Sequence, residues 1–132
     1  LPASQAIGDS RATLYGPEPG ASLGGGQCLS RGDVNGDCVG DLLVGLGLTD
    51  ILASNGGAAW LVEGPLAGAY YISDGDYTAS FAGTGADDYL GGICTMESDL
   101  DDDGADDIVL GSYNHDVGTS GNNGGVFVWF GG

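Results

Sequence analysis

The sequence contains no lysine, and its two arginines, Arg11 and Arg31, face nineteen acidic residues. A net charge of −17 argues against nucleic-acid or anionic-membrane binding, since both need a basic surface. Cations are the natural partners of such a chain. Histidine occurs once, at His115. One histidine in a polar loop supports no Ser-His-Asp or Cys-His arrangement, and a surface position is expected for it. No acid/base pair stands outside the acidic loops described below, so no catalysis is expected within these residues. No apolar run approaches the roughly 20 residues that span a bilayer, so membrane insertion is not expected. No signal peptide is visible, and Leu1-Pro2-Ala3-Ser4 reads as a mature start. Long helices are also disfavoured. Glycine supplies 28 of 132 residues, and each interior glycine costs a helix about 1 kcal/mol relative to alanine.

What the chain does have, it has twice. LGGGQCLSRGDVNGDCVGDLLVG (23–45) aligns with YLGGICTMESDLDDDGADDIVLG (89–111), apart from one shift among the glycines. NGGAAWLVEG (55–64) aligns with NGGVFVWFGG (123–132), and RATLYG (11–16) with TASFAG (78–83). The chain reads as a single domain of two repeats, 10–64 and 77–132, joined by a linker at 65–76. Each repeat consists of short apolar runs bounded by Gly, Asn, Asp and Pro, the signature of strands and turns. QCLSRG and ICTMES, DLLVGL and DIVLGS, GAAWLVEG and GVFVWFGG, and RATLYG and TASFAG are the expected strands. The near-continuous apolar character of LLVGL, IVLG and VFVWF predicts strands buried on both faces. Trp60 and Trp129 lie in matching strands and are expected to pack sheets together.

Each repeat carries an acidic ladder at loop positions one, three, five and nine. The first is Asp33, Asn35, Asp37 and Asp41, and the second is Asp99, Asp101, Asp103 and Asp107. Alternate residues of a loop can converge on one centre. Two carboxylates about 5 Å apart repel by roughly 3 kcal/mol at an effective dielectric near 20, so the loop wants a cation. Hard oxygen donors in irregular geometry favour calcium over zinc or copper. An EF-hand is excluded, because position twelve is Val44 or Leu110 and both lie inside apolar strands. The backbone carbonyl at position seven, from Val39 or Ala105, would complete the ring. A solvated Asp-Gly turn is the competing reading of one copy, and two copies in register weigh against it. A generally acidic surface would scatter its charges, whereas seven acids here fall in the two ladders.

The first ladder overlaps Arg31-Gly32-Asp33, a tripeptide known as a recognition sequence for cell-adhesion receptors. The second copy keeps the ladder and lacks the Arg-Gly pair. Asp33 therefore reads as a metal ligand first. Cys28 and Cys94 each stand five residues before their ladder, and Cys38 has no counterpart. A Cys28–Cys38 disulfide and three free buried thiols are both compatible with that pattern. Asp87 and Asp88, before a Leu-Gly-Gly, are expected to shape a turn.

The whole constellation resembles the FG-GAP repeat of integrin alpha-chain N-terminal domains and their bacterial relatives. The resemblance covers nearly the whole chain. It departs at Leu23-Gly24 and Leu90-Gly91, which replace the Phe-Gly pair, and at GLG and GSY, which replace Gly-Ala-Pro. Cys38 also stands where the second copy has Gly104. The resemblance implies an all-β fold of two antiparallel β-propeller blades. It implies two calcium sites, one at Asp33, Asn35, Asp37, Val39 and Asp41 and one at Asp99, Asp101, Asp103, Ala105 and Asp107. It implies a secreted or cell-surface binding or adhesion module, with a protein or glycan as possible ligand. Two blades cannot close a ring of the usual four to eight. The strand at 78–83 can complete the first blade, while the second ends after its third strand and Arg11–Gly16 has no preceding blade to serve. A homo-oligomer formed by strand donation is the resulting expectation. A self-assembling structural unit and an accessory propeller of a secreted hydrolase or lectin are the alternatives.

Overall fold

Short β-rich runs between glycine turns fold here into nine strands among the described residues. The computed structural model describes residues 6–26, 28–118 and 121–132. The expected start at Leu1–Ser4, the first residue of QCLSRG and part of the loop after His115 lie outside those residues. The strands are β1 (Ala12–Tyr15), β2 (Leu29–Gly32), β3 (Asp41–Leu46), β4 (Ala58–Val62), β5 (Gly68–Tyr71), β6 (Ala79–Ala82), β7 (Ile93–Thr95), β8 (Ile108–Ser112) and β9 (Gly125–Trp129). Two 3-10 turns, Ile7–Asp9 and Ile72–Asp74, are the only helical elements among the described residues. The fold is all-β, as expected. Antiparallel sheets run in the orders β2-β3-β4-β6 and β7-β8-β9, and β1 and β5 form a parallel pair.

The segment at 78–83 completes the first sheet, with Ala79 opposite Leu61 across β6 and β4. The expectation for Arg11–Gly16 is not met. β1 has a partner in its own chain, β5, which lies inside the segment read as a linker. Gly68 N–H donates to the Arg11 carbonyl at 2.9 Å, and Tyr15 stacks on Tyr71 with ring centroids 4.9 Å apart. Pro65 and the glycines around GAYY masked a strand that offers an unpaired edge close by in the same chain.

The two antiparallel sheets pack face to face. Cys28, Leu43, Ala59 and Leu61 of the first meet Met96, Ile108 and Leu110 of the second, with Phe127 against them. On its other face the first sheet presents Val44, Leu46, Ala58 and Trp60 to Ile72, Leu14, Ala21 and Leu23. β3 and β4 are thus buried on both faces, as their apolar runs predict. β9 is not. Its Phe127 turns inward, but Val126 keeps 72% and Val128 43% of its surface exposed. With Ile93 they leave the outer face of the second sheet open. Trp60 stands opposite Val44, and the residue at the matching place opposite Leu110 is Phe127, not a tryptophan.

A one-residue difference in register decides the cysteine chemistry. Gly32 pairs with Asp41, and Asp33 follows at once. In the second sheet Thr95 pairs with Val109. Continuing that ladder sets Glu97 opposite Asp107 and leaves Ser98 as an extra residue before Asp99. A shift of one residue turns a side chain to the other face of its sheet. Cys28 and Cys94, at equal distances from their loops, consequently point at each other across the core. They form a disulfide with Cα atoms 4.7 Å apart, and Cys38 is free and exposed. Both earlier readings, Cys28–Cys38 and three free thiols, are overturned. Gly45 makes the room, since a Cβ there would lie 2.5 Å from Cys28 Sγ.

The bridge closes a separation of 66 residues, for which chain-entropy reasoning gives about 4 kcal/mol. Cys28→Ser with Cys94→Ser should lower unfolding free energy by about 2–4 kcal/mol in urea, and Cys38→Ser should leave it nearly unchanged. Peptide mapping without reduction should find Cys38 alkylated, and a Cys28–Cys38 cross-linked peptide would contradict the assignment.

Candidate metal centre

Two loops connect the first and second strands of the antiparallel sheets, 33–41 between β2 and β3 and 99–107 between β7 and β8. They share a core set of hydrogen bonds. The carboxylate at position one accepts two backbone N–H groups, from Asp37 (3.0 Å) and Cys38 (2.7 Å) for Asp33. Asp99 accepts from Asp103 (3.1 Å) and Gly104 (2.9 Å). At position five, Asp37 accepts from Val39 N–H at 2.7 Å and Asp103 from Ala105 N–H at 2.9 Å. At position nine, Asp41 accepts from Val34 and Gly64, both at 2.9 Å. Asp107 accepts from Leu100 (2.6 Å) and Gly131 (2.9 Å). Short polar side chains capture nearby amides in this way and hold a loop in one turn conformation.

Each loop needs two left-handed residues, at positions four and six. Gly36 and Cys38 supply them in the first loop, with φ of 68° and 65°. Asp102 and Gly104 supply them in the second, with φ of 62° and 99°. Glycine takes one place in each loop and an L-residue takes the other, which costs roughly 1–2 kcal/mol.

Asp41 and Asp107 are buried, at 2% and 1% exposure. A buried carboxylate is costly unless hydrogen-bonded, and each of these has two charge-assisted bonds. Both tie the beginning of a loop to the chain just beyond the third strand of its sheet.

In the second loop the geometry brings donors together. Oxygen atoms of Asp99, Asp101 and Asp107 lie within 4.8 Å of one another. Among the described residues this is the acidic trio that can hold a metal ion. Its donors are all oxygens, which fits a hard cation such as calcium or magnesium. Asp103 stays outside the trio, and the Ala105 amide is fixed by it. In the first loop Asn35 stands in the place of Asp101. Its Oδ1 accepts from Asp37 N–H at 3.1 Å, and its Nδ2 donates to Asp37 Oδ2 at 3.3 Å. The first loop thus keeps the scaffold with one carboxylate fewer.

The loops also hold each other. Asp106 Oδ2 accepts from Asp33 N–H at 2.8 Å, and Asp106 N–H donates to the Asp33 carbonyl at 2.8 Å. Gly132 N–H donates to the Val34 carbonyl at 2.9 Å, one residue after Gly131 binds Asp107.

The Arg-Gly-Asp tripeptide lies in this seam. Arg31 is exposed on β2, but a Cβ on Gly32 would meet the Met96 carbonyl at 2.0 Å. Asp33 turns both carboxylate oxygens into its own loop. Sequence reasoning missed one pair entirely. Asp88 shapes its turn as expected, accepting from Gly85 N–H at 2.8 Å, but it is buried and meets His115 Nδ1 at 3.2 Å. No pattern in the sequence links two residues 27 positions apart.

No family model matches the chain, and no curated protein matches it.

Desolvation, followed by the charges of Asp103, Asp107 and Asp99, raises the Asp101 pKa above its ordinary value. The folded chain therefore holds that proton more tightly than the unfolded chain does. Without a cation, stability falls as pH rises from about 3.9 through the raised value. In chelator, Asp101→Asn should be at least as stable as wild type at about pH 7, with the gap closing toward about pH 3.5. Urea unfolding at the two pH values measures this, and a variant less stable than wild type in chelator at the higher pH would contradict it.

Proposed function

We propose that the chain is a calcium-stabilised, non-enzymatic extracellular binding or adhesion module built from two FG-GAP-like propeller blades. The observation that carries this reading is the convergence of Asp99, Asp101 and Asp107 on a scaffold whose hydrogen bonds recur in the first loop. Asp33, Asn35, Asp37, Asp41 and the Val39 carbonyl would serve the first site. Asp99, Asp101, Asp103, Asp107 and the Ala105 carbonyl would serve the second. A bound cation would offset the repulsion within each loop and fix loop to strand. The Cys28–Cys94 disulfide suits an oxidising compartment, and with it a secreted or cell-surface location. No helix is long and apolar enough to cross a membrane among the described residues.

Self-assembly is a second reading, favoured by the open face of the second sheet. The first sheet covers its equivalent face, through Leu43, Ala59 and Leu61, with the second sheet. With β1 engaged by β5, an uncovered face supports assembly better than a donated strand does. Light scattering in calcium and in chelator distinguishes this reading, because a folded monomer under both conditions would remove it. An accessory propeller of a secreted hydrolase or lectin is a third possibility, with a protein or glycan as ligand.

A cation at 100 times its dissociation constant adds about 2.7 kcal/mol per site. Extracellular calcium modules often bind in the range of about 0.1–1 mM, so millimolar calcium is the test condition. Calcium should raise the melting temperature, and Asp101→Ala with Asp103→Ala should remove most of that rise; in chelator the repulsion relieved at Asp101 opposes the loss of the Asp103–Ala105 hydrogen bond. Equal melting temperatures of the wild type in calcium and in chelator would refute the calcium reading.

The Arg31-Gly32-Asp33 tripeptide is not expected to act as an adhesion ligand, because its carboxylate serves the loop. Arg31→Ala should leave any cell attachment intact. Loss of integrin-dependent attachment in a folded, calcium-binding Arg31→Ala protein would overturn this.

A further inference from the structure

A cavity of about 220 Å3 opens where the β6 edge of the first sheet meets β9 of the second. It is smaller than the roughly 300–1,000 Å3 of sites for drug-sized ligands, so it suits one side chain. Its walls are apolar, formed by Leu90, Phe127 and Trp129. Its polar side chains are Asp88, His115, Thr84 and Ser112, the last already donating to the Asp88 carbonyl at 2.6 Å. Asp88 is nine-tenths buried or more, at 4% exposure. An ionised carboxylate offers about four acceptor positions. Asp88 fills one with Gly85 N–H and one with His115 Nδ1. The His115 ring is braced edge-on against Phe127, with centroids 5.2 Å apart.

A buried carboxylate with spare acceptor positions, beside the rings of Trp129 and Phe127, has the chemistry that recognises an ammonium. The charge pairs with the carboxylate, and an indole such as that of Trp129 in the lining attracts a cation. A four-carbon stem matches the apolar wall. These 132 residues contain no lysine and carry a net charge of −17, so a lysine occupant lies outside them and is drawn by the surrounding field. We propose that this cavity, lined by Asp88, His115, Phe127 and Trp129, receives a lysine side chain of a partner protein.

Trp129 lines the cavity, while Trp60 is buried in the other core, so the two indole N–H resonances report separately. Titration of the intact protein with Nα-acetyl-lysine methylamide should shift the Trp129 signal saturably and leave Trp60 unmoved. Asp88→Asn, which keeps an acceptor for Gly85 N–H, should weaken binding by about tenfold or more. An unchanged Trp60 signal certifies that this variant is folded. If it is not, Trp129→Leu with calorimetry of the same ligand takes its place and should show a comparable loss. The proposal is overturned by no Trp129 response, by an equal response in folded Asp88→Asn, or by undiminished binding to Trp129→Leu. It is overturned too if butylammonium binds and the lysine derivative does not, or if neutral methyl glucoside produces the same shift.

Discussion

Asp41 and Asp107 each bind two backbone N–H groups, one at the second residue of their own loop and one just past the third strand of their sheet. Both carboxylates are buried at the mouth of a central strand. This clasp does two things at once. It fixes where the loop begins relative to the sheet, and it sets a charged oxygen at the base of the loop. Asp99 and Asp101 can converge on Asp107 only because Asp107 is held. A buried anion without those amides would be costly, and without the anion the amides of Val34, Gly64, Leu100 and Gly131 would need other partners. The clasp is therefore a structural feature before it is a ligand.

Close approach of the two sheets follows from the same economy of side chains. Gly32 lies against the Met96 carbonyl and Gly45 against the disulfide. The Cys28–Cys94 bridge and the reciprocal bonds of Asp33 with Asp106 cross the same seam at different heights. A chain rich in glycine and alanine has few large side chains to bury. Linking its sheets by covalent and backbone bonds compensates for a thin apolar core.

Much of this was legible in the sequence, for definite reasons. The strands that follow the loops announce themselves by apolar runs bounded by Asp and Gly, and the ladder repeats at fixed spacing. β5 was hidden because Gly68-Ala69-Tyr70-Tyr71 follows a proline and resembles a connecting segment. The disulfide was hidden by a single extra residue, Ser98, because the spacing of Cys28 and Cys94 from their loops is equal and the register shift that turns them toward each other leaves no mark in the sequence. The open face of β9 was hidden because Val-Phe-Val-Trp-Phe reads as apolar throughout, although Val126 and Val128 point to the side opposite Phe127 and Trp129. The Asp88–His115 pair was hidden because it is tertiary, formed by two loops from different parts of the chain. Periodicity reports which face a strand buries only when its register is known.

The two loops differ in a way that orders their roles. The second loop has a carboxylate at each of positions one, three, five and nine, while the first has an amide at position three. Repulsion is therefore greater in the second, and it adds to desolvation in raising the Asp101 pKa. The first loop is nearer to self-sufficiency, because Asn35 both accepts from and donates to Asp37. A cation has more repulsion to relieve in the second loop. Asp106 lies between Ala105 and Asp107 of that loop and holds both backbone groups of Asp33, the first residue of the other. Ordering the second loop thus orders the anchor of the first. The loop with the greater internal repulsion is also the one that holds the first residue of the other across the seam.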